Sequence, residues 1–314
     1  MSGELTRNVG ERHPEEASKL LKDRIIYHYD VCAEYYYSLW GEHIHHGYFL
    51  TPTDTKEIAQ IQQIELLVRQ SKLEPGSKVL DVGCGLGGTS RYLARELGCE
   101  VIGIALSDAE IRIARRVSIG EADGGDEDED GLIRLGEGSV KFMALDAEMI
   151  EETFGNKTTK TFDCVWISDA ISHLPDKRKF VSDVARLLDI GGKLVLADWF
   201  AVDSCMNDDL KTKQQNDDLT AIENGMMLPP LISQEVFVRL AGMKGLSLLV
   251  EPLEISEKVS RTWDISWSLI TKPKLWLFAL SQGREGLAFV GALRATRRAY
   301  SNQTFQYAVL VFGK

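Results

Sequence analysis

The sequence predicts an α/β fold in which helices pack on both faces of a seven-stranded, mostly parallel sheet. Two observations lead to this prediction. Short apolar segments alternate with helical segments between residues 78 and 198, which is the pattern of right-handed βαβ units. One apolar segment, residues 79–83, runs directly into a glycine-rich turn and a helical segment, as in nucleotide-binding folds.

The individual elements follow in order along the chain. Residues 18–47 form an aromatic helical segment, and residues 55–71 form a second one, which ends before Pro75 and Gly76. The predicted strands are residues 78–83, 100–104, 140–145, 162–167, 193–198, 246–250 and 305–312. The predicted helices between them include residues 89–97, 108–117 and 177–188.

Two inserts interrupt this alternation. Residues 120–139 are rich in glycine and acid, with seven acids between Glu121 and Asp130. This composition predicts an exposed loop, and a regulatory acidic arm is the alternative interpretation. Residues 202–294 return repeatedly to helical patterns and contain Trp263, Trp267 and Trp276. Such a segment either covers an apolar ligand or simply packs as core.

Composition excludes several classes of function. The chain has 314 residues and a formal charge of −11, without a basic block, so we expect no nucleic-acid partner. The five scattered cysteines form no CxxC pair, which predicts a reducing compartment and a cytoplasmic location. We expect no transmembrane segment, because no apolar run is long enough. Peripheral membrane contact stays open, and the sequence does not indicate an oligomeric state.

The glycine-rich turn at residues 83–88 admits two interpretations. Gly83, Gly85 and Gly88 fit the GxGxxG of a dinucleotide site, whereas Gly87 in place of Gly88 gives GxGxG. Asp81 lies inside the preceding strand, where a carboxylate can accept a hydrogen bond from an ammonium group. The next strand ends at Ala105, where a dinucleotide site would carry an acid for the ribose. A nicotinamide oxidoreductase is therefore the weaker alternative.

Several segments extend this pattern to a family resemblance. Residues 79–94 (VLDVGCGLGGTSRYLA) and 101–111 (VIGIALSDAEI) resemble the first two motifs of class I S-adenosylmethionine-dependent methyltransferases. Other segments resemble the branch of gamma-tocopherol methyltransferases, sterol methyltransferases and cyclopropane synthases. They are LWGEHIHHGY from residue 39, MALDAE from 143, WISDAISHLPDK from 166 and DIGGKLVLADW from 189. The resemblance covers residues 25–314 apart from the acidic insert.

The resemblance implies a Rossmann-like class I fold with S-adenosylmethionine as cofactor. Asp81 and the glycine turn would hold the methionine end, Glu110 the ribose, and Asp146 the adenine amino group. The full set of implied cofactor-binding residues is Tyr29, Asp81, Gly83, Cys84, Gly85, Gly87, Glu110, Asp146, Ala147 and Ser168. Ala105 departs from the general class pattern, which has an acid there, although the named branch also lacks it.

The candidate catalytic residues are His45, His46, His173 and Asp169. Methyl transfer is an in-line displacement, so positioning supplies most of the acceleration, and a general base helps where the acceptor must lose a proton. His43 and Glu42 are further candidates for that base. The HxHH pattern also suggests a metal site, but the lid motif accounts for it, and we predict no metal. His173 could instead cap the turn between strand and helix.

The sequence thus predicts a methyltransferase (EC 2.1.1.-) whose partner is a small-molecule acceptor. We expect a largely apolar natural product of secondary metabolism, methylated at nitrogen, carbon or oxygen. The alternative is a cyclase or isomerase that binds the cofactor without transferring methyl. The expected organisation is an N-terminal helical lid (1–74), a cofactor-binding core (75–200), and a helical cap with the last two strands (201–314).

Overall fold

A computed structural model describes residues 14–122, 124–155, 161–202, 205, 212–270 and 272–314. Its sheet contains β1 (Lys78–Val82), β2 (Glu100–Ala105), β3 (Ile133–Leu135), β4 (Gly138–Ala144), β5 (Phe162–Ser168), β6 (Leu188–Ala201), β7 (Ser247–Leu248), β8 (Leu253–Glu254) and β9 (Phe305–Gly313). The strands lie in the order β3-β4-β2-β1-β5-β6-β9-β7, and β8 also pairs with β9.

The centre of the sheet is parallel and its two edges are antiparallel. β4, β2, β1, β5 and β6 run parallel, whereas β3 is antiparallel to β4, and β9 is antiparallel to β6. Val79 and Leu80, adjacent on β1, belong to two different apolar clusters, so both faces of the sheet are buried. The predicted α/β fold is confirmed, and two short strands, β3 and β8, add to the seven predicted strands.

The helices begin and end as follows. They are α1 (Pro14–Tyr35), α2 (Lys56–Ser71), α3 (Gly88–Leu97), α4 (Asp108–Glu121), α5 (Ile150–Phe154), α6 (Lys177–Leu187), α7 (Lys213–Gly225), α8 (Gln234–Gly242), α9 (Ser256–Val259), α10 (Arg261–Ile270), α11 (Pro273–Ser281) and α12 (Gly283–Ser301). Side chains cap several of them: Thr55 accepts from the amide of Ile58, and Ser107 from that of Glu110. Helix α12 packs on α7, α10 and α11 to form the tryptophan-rich cap.

The helical segment predicted for residues 18–47 ends earlier than expected. Helix α1 continues into a π-helical turn, Tyr36–Trp40, and stops at Gly41, whose φ of 103° is a conformation that glycine adopts readily. Residues 41–49 form an irregular segment, which we call the strap. Three of its amides bind outside it: Gly47 to Thr262, Tyr48 to Ala59 and Phe49 to Lys258.

The acidic insert is only partly the loop that its composition predicts. Helix α4 extends to Glu121, and β3 pairs with β4 within the insert. Ile133 and Leu135 alternate with exposed Arg134, and their exposed fractions are 0% and 1%. Apolar alternation next to an available strand edge therefore overrides the polar composition around it.

The described helices give no indication of a membrane span: none of them is both long and apolar enough to cross a bilayer.

The packing of β3 can be tested by truncation. We expect Leu135→Ala to lower the free energy of unfolding by about 2–4 kcal/mol, because it empties a filled core position. Arg134→Ala, on the exposed face of the same strand, should change it by less than about 0.5 kcal/mol. Chemical denaturation of both variants provides the measurement. Equal stability of the two variants would mean that the whole insert is a solvated loop.

Candidate active site

The glycine turn after β1 has the backbone conformation that its sequence predicts. Gly83, Gly85 and Gly87 have φ angles of 76°, 51° and 77°, a region that favours glycine. A Cβ atom on Gly83 would lie 2.4 Å from the Cβ of Ala170. The amides of Gly83 and Cys84 donate to the carbonyl of Ile104 at 2.8 and 2.9 Å. This turn leads into the N-terminus of α3 and forms the floor of a cleft.

Asp81 is the buried carboxylate of this cleft. It is 3% exposed, and its Oδ2 accepts from the hydroxyl of Ser90 at 2.6 Å. Burial raises the pKa of Asp81 to about 6, and the Ser90 hydrogen bond partly opposes that rise. A cationic ligand in the cleft would favour the ionised form, so Asp81 suits an ammonium group.

Glu110 is a second buried carboxylate in the cleft, at the start of α4. Its Oε1 lies 3.7 Å from the position of a Cβ on Gly85, so the carboxylate faces the glycine turn. Burial, and then the charge of Asp30, raise the pKa of Glu110 to about 8. Asp30 also accepts from the hydroxyl of Ser107 at 2.6 Å, which fastens α1 to this end of α4. Glu110 is therefore placed to accept hydrogen bonds from a ligand.

The far end of the cleft differs from the arrangement implied by the family resemblance. Ala147 and Leu145 line it, but Asp146 does not. The Oδ2 of Asp146 binds the Nζ of Lys22 at 2.7 Å, and its Oδ1 accepts from the amide of Glu148 at 2.9 Å. Gly87 also lies outside the lining: a Cβ there would meet the ring of Phe142 at 2.7 Å. The other implied cofactor-binding residues, Tyr29, Cys84 and Ser168 among them, line the cleft.

The strap covers the cleft and contributes an unpaired acceptor. The Nδ1 of His45 donates to the carbonyl of His46 at 2.8 Å, which leaves the buried Nε2 of His45 with no partner among the described residues. Burial lowers the pKa of His45, so Nε2 carries a free lone pair. Two buried carboxylates, a backbone cradle and this acceptor fit S-adenosylmethionine, which carries an ammonium group and ribose hydroxyls.

A larger cavity of about 680 Å³ adjoins the cleft. Aromatic side chains from α1, the π-helical turn, β6 and the cap line it: His28, Tyr29, Tyr35, Tyr36, Trp40, Trp199, Trp263 and Phe289. We call it the acceptor cavity. Tyr29, Ile44, Asp169 and His173 line both the cleft and this cavity. We call these four residues the junction, and any group transferred between the two ligands must pass there.

Asp169 fastens the strap to the sheet at the junction. It follows β5 with a φ of 55°, and its amide donates to the carbonyl of Ala197 at 2.9 Å. Its Oδ1 accepts from the Nδ1 of His46 at 2.8 Å and its Oδ2 from the His46 amide at 2.7 Å. Burial opposes ionisation, but the interactions with His46 outweigh it and hold the pKa of Asp169 below its ordinary value.

The contact with Trp263 shows which ring nitrogen of His46 carries the proton. The indole Nε1 of Trp263 lies 2.8 Å from the Nε2 of His46, and an indole N–H can only donate. Nε2 is therefore an acceptor and Nδ1 carries the proton that binds Asp169. Since Tyr300 also approaches Nε2, at 3.3 Å, both ring nitrogens of His46 are engaged. His46 thus positions Asp169 and is not free to take a proton.

His173 is the junction histidine with a free ring atom. Its Nδ1 has no partner among the described residues. Burial, and then the nearby His28, lower the pKa of His173 to about 4, so the ring is uncharged at neutral pH. Of the predicted catalytic residues, Asp169 and His173 lie at the junction, His46 lines the acceptor cavity and binds Asp169, and His45 faces the cleft. Glu42 instead accepts from buried Arg91 at 3.1 Å.

The three strap histidines do not converge. His43 lies against Gly88, His45 faces the cleft and His46 binds Asp169. Across the described ranges, no three His, Cys, Asp or Glu side chains form a group that could hold a metal ion.

Asp198, a buried carboxylate in the acceptor cavity, was not among the residues predicted from the sequence. It is 1% exposed, and it accepts from the amides of Ser172 at 3.0 Å and Trp199 at 2.7 Å. Burial, and then the charge of Asp169, raise the pKa of Asp198 to about 6. A usable signal was present, because Asp198 is the one acid in the apolar run from Leu194 to Ala201.

Comparisons with known proteins identify the family of the chain. Residues 17–132 match the family model described as mycolic acid cyclopropane synthetase, and residues 80–196 match a methyltransferase domain. The chain is 30% identical over 262 residues to the 2-methyl-6-phytyl-1,4-hydroquinone methyltransferase of Synechocystis sp., covering 81% of this chain and 70% of that protein. It is 27% identical over 300 residues to the chloroplastic tocopherol O-methyltransferase of Arabidopsis thaliana, covering 91% and 80%.

Solved structures share the fold. The mycolic acid cyclopropane synthase CmaA1, complexed with S-adenosylhomocysteine and CTAB, superposes with a TM-score of 0.72 at 17% identity. The match covers 97% of this chain and 99% of that one.

The burial of Glu110 predicts how the free energy of unfolding depends on pH. Its pKa is higher in the folded protein than its ordinary 4.5, so the stability that protonated Glu110 confers is full below that pH and is lost as pH rises toward 8. We expect Glu110→Gln to raise the free energy of unfolding by about 2 kcal/mol or more near pH 8.5, and to change it little near pH 5.

Denaturation at the two pH values, without ligand, provides the measurement. The control is Glu100→Gln, an exposed glutamate at the start of β2. An effect of Glu110→Gln that is the same at both pH values would contradict the assigned pKa.

Proposed function

The chain belongs to the class I S-adenosylmethionine-dependent methyltransferases, in the branch of the tocopherol methyltransferases and cyclopropane synthases, and we propose that it methylates a small, largely apolar natural product. As a member it is a methyltransferase of small molecules that uses S-adenosylmethionine. The observation that carries the proposal is the junction, where a polar cleft meets an aromatic cavity of about 680 Å³.

We assign the cleft to the cofactor, which supplies an electrophilic methyl group on a sulfonium sulfur. Asp81 and the free Nε2 of His45 receive the ammonium group, and Glu110 receives the ribose hydroxyls. The backbone of the glycine turn lies along the methionine end, and Leu145 and Ala147 hold the adenine ring. Asp146 reaches the adenine amino group only if Lys22 releases it, so we propose this release as part of cofactor binding.

The junction residues position the acceptor beside the cofactor. His173 is uncharged with a free Nδ1, so it can accept a hydrogen bond or a proton from the acceptor. Asp169 provides a fixed negative charge close to the sulfonium position. His46 and Trp263 are positioning residues that hold Asp169. The cap and strap exclude water, which favours an in-line displacement.

The class of the acceptor follows from the lining of the cavity. Aromatic and aliphatic side chains dominate, and Arg24 is the one Lys or Arg among the described lining residues. A prenyl diphosphate or another polyanion would meet too few cations there. We propose a neutral or cationic acceptor of secondary metabolism, methylated at nitrogen, carbon or oxygen. A cytoplasmic location is supported by five scattered cysteines that form no CxxC pair.

The assignment of Asp81 is tested by its binding contribution. We expect Asp81→Asn to weaken S-adenosylhomocysteine binding about thirtyfold, or about 2 kcal/mol, because a buried charge-assisted hydrogen bond is lost. Isothermal titration calorimetry measures it. The matched control is Asp163→Asn, on the neighbouring strand β5, where the carboxylate lies outside the cleft and accepts from the amide of Lys78. Unchanged affinity for the Asp81 variant would exclude the assigned contact.

Methyl transfer itself is tested with cofactor that carries a trideuterated methyl group. We expect incubation with a metabolite extract of the source organism to yield a labelled product together with S-adenosylhomocysteine. Mass spectrometry measures both, and fragmentation locates the labelled atom. A metabolite that is converted without label, and without S-adenosylhomocysteine, would instead identify the cyclase or isomerase that the sequence analysis kept as its alternative.

A further inference from the structure

The acceptor cavity carries an excess of negative charge. Among its described lining residues are four carboxylates, Asp23, Asp169, Asp198 and Glu285, and one cation, Arg24. Arg24 donates to Glu285 at 2.9 Å, so this pair is internally compensated at the exposed rim. The carboxylates left over are Asp23 and the two deep ones, Asp169 and Asp198.

The histidines of the cavity do not balance these charges. Burial, ahead of other effects, lowers the pKa values of His28 and His173 to about 4, and the Nε2 of His46 accepts from the indole N–H of Trp263. Lys177 interacts with Asp198 electrostatically but does not line the cavity, and its Nζ donates to the carbonyls of Ser172 and Leu174. Within the part of the lining that the structure describes, no cation therefore compensates Asp169 and Asp198.

The position of Asp198 indicates which ligand, the acceptor or the cofactor, supplies the positive charge that compensates its carboxylate. Asp169 lines both cavities and can face the sulfonium. Asp198 lines the acceptor cavity and not the cleft, so its charge faces the acceptor. Trp199 and Trp263 also line the acceptor cavity, with ring centroids 5.4 Å apart, and indole faces attract cations.

We infer that the acceptor is an amine with an apolar body, which enters as an ammonium ion and is recognised by Asp198 and the tryptophan rings. This inference rests on the proposed function and assigns the methylated atom as nitrogen. A buried carboxylate with no cation on its cavity side is costly, and an ammonium ion in the cavity reduces that cost. Asp198 is accordingly a specificity-determining residue.

The transfer step balances with residues of this site. The ammonium ion gives a proton to the carboxylate of Asp198, and its nitrogen lone pair then forms a bond to the methyl carbon. The carbon–sulfur bond breaks with its electron pair on sulfur, so the positive charge moves from sulfur to nitrogen. The N-methylated product is again a cation and leaves Asp198 protonated, and water then takes up that proton.

The test compares a permanent cation with its neutral isostere. The probes are (3-phenylpropyl)trimethylammonium and the hydrocarbon in which a quaternary carbon replaces the nitrogen, each titrated into the full chain saturated with S-adenosylhomocysteine. We expect the cation to bind at least tenfold more tightly, and Asp198→Asn to remove that preference. The control variant Asp183→Asn changes a buried carboxylate on α6, paired with Lys179, outside the cavity. Equal affinities of the two probes for the wild-type chain overturn the inference.

If Asp198→Asn does not fold, the pH dependence of probe binding to the wild-type chain provides a second test. The titratable groups that interact with Asp198 are Tyr29 on α1, Asp169 after β5, Lys177 on α6, Tyr300 on α12 and Tyr307 on β9. Because Asp198 ionises near pH 6, we expect the affinity of the permanent cation to rise between about pH 5 and pH 7. The neutral isostere should show no such rise. A cation affinity that is flat with pH overturns the inference.

Different results would overturn the proposed function and the amine inference. A chain that binds S-adenosylhomocysteine and transfers labelled methyl, but prefers the neutral isostere, overturns the amine and leaves the proposed function intact. A chain that binds no S-adenosylhomocysteine overturns the proposed function, and the amine inference with it.

Discussion

The hydrogen bonds between Asp169 and His46 are the constraint on which the site depends. Asp169 ends a central strand, and it binds both the amide and the ring of a residue in the strap, 123 positions away in the chain. This contact holds the strap over the sheet, so the strap forms the roof of the cleft and one wall of the acceptor cavity. Trp263 adds the cap to the same network through His46. One half-buried carboxylate thereby joins lid, core and cap.

Much of the site consists of groups that are costly without a ligand. Burial raises the pKa values of Asp81 and Asp198 to about 6 and that of Glu110 to about 8, so each of these carboxylates destabilises the fold when it ionises. His45 and His173 each bury a ring nitrogen that no described residue pairs with. Ligands that supply cations and hydroxyls relieve these costs, which explains why such groups persist at a binding site.

The sequence predicted the fold well, because short-range patterns determine it. Strand alternation and glycine spacing identified the central strands and the nucleotide-binding turn. The site was predictable only in part. The pairing of Lys22 with Asp146 and the placement of Asp198 depend on long-range packing, which residue patterns do not encode. Strand β3 was missed because acidic composition concealed a short apolar alternation, Ile133 and Leu135.

A crystal structure of the chain with S-adenosylhomocysteine tests the account most directly. We expect the sulfur atom to lie at the junction of Tyr29, Ile44, Asp169 and His173, with the amino group on Asp81 and the ribose on Glu110. The sulfur should then open toward the acceptor cavity. A ligand whose sulfur lies away from the junction, or whose amino group does not contact Asp81, would contradict the division into a cofactor cleft and an acceptor cavity.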